Sequence, residues 1–267
     1  MKLAANATGF NAENALSLAL AARVVYNEPQ EVKKKLALAG YNRFRWFDER
    51  GTQAMVASDD ENILLAFRGT EPTCLFDIMT DLDVNMVPGP FGRVHDGFNC
   101  AVKLLIYDIA FTINTFRNNN QALWITGHSL GGALAKLAAA WLSAEKVFFN
   151  GLYTFGSPRV GDQTFAEHFD VRFKTRTFRF VNHNDLVTRV PMRSMGFRHA
   201  GTHYYFNDKG SLLPDENSEW WSLFTDTVKN TFEDLARVAL DSISDHSMDL
   251  YHKLLNEYHS KYMSKAG

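Results

Sequence analysis

The chain has 267 residues, 46% of them apolar and 22% charged, which is ordinary globular composition and excludes a disordered chain, a coiled coil or a collagen-like rod. Its 28 Lys and Arg against 30 Asp and Glu leave a net charge of −2. That balance offers no basic footprint for a phosphate backbone, so nucleic acid is not an expected partner.

In chain order, Met1 to Asn6 carries a single charge, and Asn6, Asn11, Glu13 and Asn14 interrupt what would be a secretory core. Either the chain is cytoplasmic, without a standard leader, or it is secreted and a leader was removed upstream of this numbering. Ala15, Leu18, Ala19, Ala22 and Val25 recur at helical spacing before Pro29, predicting a first helix over 12–26. From Phe44 the pattern shortens: 44–47, 54–56 and 63–67 read as two hairpin steps into a buried strand. Val102, Leu105, Ile106, Ile109 and Ile113 predict a helix over 99–116. A buried strand follows at 122–126, then a small-residue helix at 133–143 able to lie close against a sheet. Strands at 152–155 and 177–181 flank a helix near 163–169. Beyond Tyr204-Tyr205-Phe206 come a loop at 207–217, a long amphipathic segment from Trp220 to Ile243, and a last helix from about Met248 to Tyr262.

Strands interleaved with helices predict an α/β fold, a mostly parallel central sheet with helices on both faces. No repeat, low-complexity tract or long linker divides the chain, so one domain over 1–267 is the expectation. The longest apolar runs, 15–22 and 137–144, fall far short of the ~20 residues of a spanning helix, which reads as a soluble protein. Two cysteines, Cys74 and Cys100, cannot specify a disulfide framework.

Gly127-His128-Ser129-Leu130-Gly131-Gly132 stands directly between the buried strand and the small-residue helix. A serine on such a strand-to-helix turn is a nucleophile elbow: flanking glycines let backbones approach, and the helix N-terminus aims free N–H groups at developing negative charge. No Gly-Lys-Ser or Gly-Lys-Thr follows, which argues against a phosphate loop. A serine hydroxyl needs a base, and the base needs an orienting carboxylate, so Asp and then His are expected downstream. Asp185 follows strand 177–181 and is preferred over Asp162, which looks like a helix cap, and Asp170, which looks like a helix end. Of nine histidines, His246 lies in a polar loop between two C-terminal helices, where the third member is expected. His199 and His203, four residues apart in a strand-like stretch, do not form a zinc helix. No metal or organic cofactor is required.

These segments resemble the class three lipases, the fungal-type triacylglycerol lipase family of the α/β-hydrolase fold, over roughly Ala12 to Tyr258. Phe67-Arg68-Gly69-Thr70 resembles the family's oxyanion strand end, Asp81-Leu82 the end of its lid, Val94-His95-Asp96-Gly97-Phe98 a family signature, and Phe155 to Gly161 the loop after the next strand. The resemblance implies Ser129, Asp185 and His246 as the catalytic triad, Thr70 and Leu130 as the oxyanion hole, and a structural role for His95. It also implies a short helical lid over 71–81, where Leu75, Ile78, Met79 and Leu82 share one helical stripe and Phe76 is counted with them. The stretch 208–243 is read as a helical insertion before the catalytic histidine. Trp220 and Trp221 could dock a membrane, though core packing is the commoner use of such a segment.

The implied activity is a serine carboxylester hydrolase, a triacylglycerol lipase meeting lipid at a transient interface, with no obligate protein partner. A phospholipase A1-like enzyme and a feruloyl-type esterase share the triad, and a catalytically silent lipid-binding protein would share the fold.

Overall fold

The computed structural model describes residues 1–70, 84–214 and 244–266. The expected lid residues Leu75, Phe76, Ile78 and Met79, the rest of 71–81, the Trp220-Trp221 pair and residues 215–243 lie outside the described residues.

Eight strands form one sheet in the order β1-β2-β3-β6-β7-β8-β9-β10. β1 (Arg43–Glu49), β2 (Thr52–Ser58) and β3 (Asn62–Phe67) pair antiparallel. β3, β6 (Ala122–His128), β7 (Gly151–Phe155), β8 (Thr177–Asn182) and β9 (Thr202–Phe206) are parallel. β10 (Leu212–Pro214) closes the edge antiparallel to β9, and β4 (Met86–Pro88) with β5 (Arg93–His95) makes a separate ribbon.

Period-two alternation splits each central strand between two cores. Ile63, Leu65, Phe67, Leu123 and Ile125 face one side, with α3 (Asp96–Phe116), α4 (Leu130–Ala144) and α5 (Gln163–Phe173). Leu64, Ala66, Trp124 and Tyr153 face the other, with α1 (Ala12–Val24), α2 (Pro29–Leu38) and α6 (Met248–Ala266). In α4 the run of alanines is fully buried from Ala133 to Ala140 apart from Leu134, Lys136 and Leu137 between them, and those three are buried too. Small side chains let this helix sit close on β6 and β7, which brings its N-terminus to the end of β6.

Most elements lie within a few residues of their sequence expectation. Helix α2 was not anticipated; Pro29 stands at its first turn, where a missing N–H costs nothing. The expected helical insertion over 208–243 is corrected at its start: residues 208–214 are not helical but the turn and strand of a β9-β10 hairpin. Asn207 Oδ1 accepts from the N–H groups of Lys209 and Ser211, and Gly210 takes φ +69°, so the local chemistry closes a turn. Among the described residues no helix is long and apolar enough to cross a membrane.

Neighbouring strands β3 and β6 are also tied by a buried side-chain contact: Trp124 Nε1 donates to Asn62 Oδ1 at 2.9 Å. Trp124→Phe removes that bond and part of a fully buried side chain, an expected loss of about 2–4 kcal/mol. Thermal unfolding should shift down by several degrees; an unchanged midpoint would show that the contact carries no stability.

Candidate active site

Ser129 is the N-cap of α4, with φ +57° and ψ −131°. A side chain at positive φ is strained by roughly 1–3 kcal/mol, and such strain persists only where surroundings over-determine it. Here they do. The Ser129 N–H donates to Phe155 O at 2.9 Å on the neighbouring strand, and its carbonyl accepts from Gly132 N at 2.9 Å. Gly127 and Gly131 leave no room for anything larger: a Cβ on Gly127 would lie 2.2 Å from Gly131 O, and one on Gly131 would lie 2.4 Å from Phe67 O. The glycines therefore let the end of β6, the start of α4 and the end of β3 meet backbone to backbone.

Asp185 follows β8 and is 1% exposed. Its Oδ1 accepts from Val187 N at 3.0 Å, capping a short 3₁₀ turn, and both carboxylate oxygens lie 2.9 Å from His246 Nδ1. Tyr251, on α6, donates its hydroxyl to Asp185 Oδ2 at 2.6 Å and accepts from Asn182 N at 2.8 Å. Burial and the Asp185 carboxylate push the Tyr251 phenol well above its ordinary pKa, so it stays a donor. Because His246 Nδ1–H points at the carboxylate, Nε2 of the neutral ring is the free acceptor. His246 Nε2 and Ser129 Oγ are both buried, and neither has a hydrogen-bond partner among the described residues.

Two groups hold the loop that carries His246. His128 Nε2 lies 2.6 Å from His246 O and donates to it, while Tyr26 donates its hydroxyl to His128 Nδ1 at 2.9 Å. The two imidazoles lie 4.5 Å apart between ring centres. Burial first, then the neighbouring His246, hold the His128 pKa well below its usual value, so His128 is neutral in the tautomer that this pair of bonds requires. On the other side, Asp245 O accepts from Asn182 Nδ2 at 2.9 Å, and Asp245 Oδ2 accepts from Asn184 N at 3.2 Å.

Gly156, φ +58°, lies against the acid and base. A Cβ there would come within 2.7 Å of Asp185 Oδ2 and 2.8 Å of His246 Cε1. Gly69, one residue before Thr70, lies equally close to the elbow: its Cβ would meet His128 O at 2.5 Å and Ser129 Cβ at 3.3 Å. Thr70 is half-buried at the last described position before residue 71, and Leu130 is the first residue of α4. The leading N–H groups of such a helix have no acceptor within it.

The structure thus pairs Asp185 with His246 and sets both against Gly156, the residue after the Phe155 whose carbonyl accepts from Ser129 N, with Gly69 against the serine on its other side. It keeps the alternatives apart. Asp162 caps α5, accepting from Phe165 N at 2.7 Å, and Asp170 accepts from Gly201 N at 2.6 Å. His95 caps α3 and stacks on Phe98 with ring centres 4.0 Å apart. His199 lies 2.7 Å from Thr188 O and donates to it. No cluster of three or more metal-ligating side chains occurs among the described residues. Sequence reasoning missed Tyr251, whose place on α6 reads as an ordinary core position, and the supporting roles of Tyr26 and His128; only the motif position of His128 hinted at one.

A strained serine between strand and helix, beside a buried Asp–His pair, on a mostly parallel sheet defines the α/β-hydrolase fold. Residues 64–195 match the family model for class 3 lipases, and the chain is similar to that family over this span. A lipase of Rhizomucor miehei is 35% identical over 170 residues, covering 59% of this chain and 46% of its own length. A triacylglycerol lipase of Ricinus communis is 27% identical over 294 aligned positions, covering 79% and 56%. The chain spans about half the length of these curated relatives. A solved triacylglycerol lipase whose catalytic centre is described as a serine protease triad superposes with TM-score 0.66 at 26% identity, covering 78% of this chain and 88% of that one.

Buried neutral histidines set the acid limit of the fold. His128, His199 and His203 are all held well below the ordinary imidazole pKa, chiefly by burial, with Arg179 adding to the effect at the last two. The unfolded chain takes up protons below pH ~6.5 that the folded chain refuses, so stability is complete above that pH and falls as pH drops, at about 1.4 kcal/mol per unit per histidine. Urea unfolding between about pH 6.5 and 5 should show this slope, and His203→Gln should remove about one proton from it. A flat profile, or an unchanged slope in the variant, would contradict the assignment.

Proposed function

We propose that this chain is a serine carboxylester hydrolase, a triacylglycerol lipase working through an acyl-enzyme. The observation that carries the reading is the buried Asp185–His246 pair, which leaves His246 Nε2 without a hydrogen-bond partner among the described residues, in the same fold as a serine held at φ +57° on a strand-to-helix turn. Ser129 Oγ attacks the ester carbonyl carbon while His246 Nε2 takes its proton. The carbonyl oxygen becomes an oxyanion held by the Leu130 N–H and Thr70, donor contacts worth about 3–4 kcal/mol each in other enzymes. His246 then protonates the leaving alcohol as the ester C–O bond breaks. Water adds to the acyl-enzyme by the same route in reverse, giving its proton to His246, and the fatty acid leaves as Ser129 regains its hydrogen. Asp185 holds the ring and stabilises the imidazolium.

Lipid as the substrate class is supported by the lipases it resembles and by the amphipathic stripe of Leu75, Ile78, Met79 and Leu82 that the sequence sets just after Thr70. We read 71–81 as a lid on that sequence pattern.

Ser129→Ala, His246→Ala and Asp185→Asn should each lower p-nitrophenyl ester turnover by orders of magnitude, and combining them should add little, since triad members act as a unit. Fatty acid release from emulsified triolein should exceed release from phosphatidylcholine vesicles. Faster release from phosphatidylcholine would move the substrate class to phospholipids. Absence of turnover on every ester, with the fold intact, would leave a lipid-binding protein instead.

A further inference from the structure

Helix α3 buries Phe98, Val102, Leu105, Ile106, Ile109 and Ile113 against the sheet. Its outer side is apolar as well. Leu104, Tyr107 and Phe111 are 39%, 66% and 67% exposed, and the free thiol of Cys100 is exposed one turn before them. At 100° per residue these four positions fall within a sector of about 60°, a continuous outer stripe with no cover among the described residues. Exposed large apolar side chains scatter singly on most surfaces; a stripe of this kind marks a contact face.

The charges beside the stripe identify what it meets. Written as a heptad, Cys100 and Tyr107 are d positions and Leu104 and Phe111 are a positions. Lys103 is then a g position and Asp108 an e position, and both side chains are exposed. In a parallel pair of helices about a two-fold axis, g of one helix faces e of the other five residues on. Lys103 would therefore face Asp108 of a second copy, twice by symmetry. Lys103 is held on its flank by the indole of Trp141, with Nζ 5.1 Å from the ring centre. A lipid surface fits worse, because Asp108 would enter it without a partner.

We propose that α3 is a homodimer interface, pairing in parallel with α3 of a second copy through Leu104, Tyr107 and Phe111 at the centre and Lys103 to Asp108 at the rims. The stripe offers roughly 400 Å² per protomer, which places the dimer at the weak, concentration-dependent end of specific interfaces. The d position sets Cys100 opposite its own symmetry mate across the axis. This inference does not depend on the proposed catalytic reading.

Sedimentation velocity from about 1 to about 200 µM should show a reversible monomer–dimer equilibrium. Phe111→Glu should abolish it. Lys103→Glu or Asp108→Lys should weaken it about tenfold by setting like charges together, and the double variant should restore it with the pairs reversed. In a Cys74→Ser background, mild oxidation should trap a covalent dimer through Cys100, and Phe111→Glu should prevent it. Lys103, Asp108 and Phe111 are exposed on α3 and outside the candidate site, so p-nitrophenyl butyrate turnover should be unchanged by substitution at these three positions and reports that each such variant is folded. A chain that stays monomeric over the whole range, a double variant no better than the singles, or flotation of monomers with phosphatidylcholine vesicles that Phe111→Glu abolishes would each overturn the proposal.

Discussion

At Ser129 the backbone takes a conformation that a serine adopts only under compulsion, φ +57° and ψ −131°, and the rest of the site depends on that compulsion. β6 runs into α4 with no intervening loop, so the turn between them has to be made in a single residue. Gly127, Gly131 and Gly132 make this possible by removing the Cβ atoms that would strike Gly131 O, Phe67 O and the Ser157 side chain. The strain is held by ladder and helix hydrogen bonds on either side, which is how a local cost of a few kcal/mol survives in a fold of ordinary stability. The consequence is chemical: the serine stands at the N-terminus of α4, where the leading N–H groups of a helix have no acceptor within it.

The second half of the site is positioned by burial. Asp185 satisfies its two oxygens with a backbone N–H, an imidazole and a phenol, which leaves the carboxylate few other orientations. His246 is gripped at its ring by Asp185 and at its carbonyl by His128, and Tyr26 fixes the tautomer of His128. Tyr26 ends the first helical region, His128 precedes the serine and Tyr251 lies near the C-terminus, so the network ties distant parts of the sequence to one imidazole. Such networks rigidify when every member is satisfied. Ser129 Oγ and His246 Nε2, the two atoms that a proton transfer would use, are among the buried atoms without a hydrogen-bond partner among the described residues.

The sequence made the layered sheet legible because its strands are buried on both faces and its helices carry strict apolar spacing. The glycines around Ser129 were legible for the same kind of reason: a motif at a strand–helix junction states its own geometry. Asp185 and His246 were reachable through chain order and loop context. Tyr251 was not, because a tyrosine at a core spacing looks the same whether its hydroxyl meets water or a carboxylate. The stretch from Asp208 misled because its downstream helical periodicity masked a short hairpin, where Asn207 and Gly210 set the turn and tertiary pairing with β9 made the strand. Short edge strands of three residues carry too little pattern to be read in isolation.

The central claim is that the elbow and the Asp185–His246 pair together make Ser129 the reactive nucleophile of the chain. Labelling with an alkyl fluorophosphonate, followed by peptide mass spectrometry, tests it most directly. The account predicts a single adduct on Ser129, with the labelling rate lowered by orders of magnitude in His246→Ala. An adduct on another serine, or the same labelling rate without His246, would contradict it.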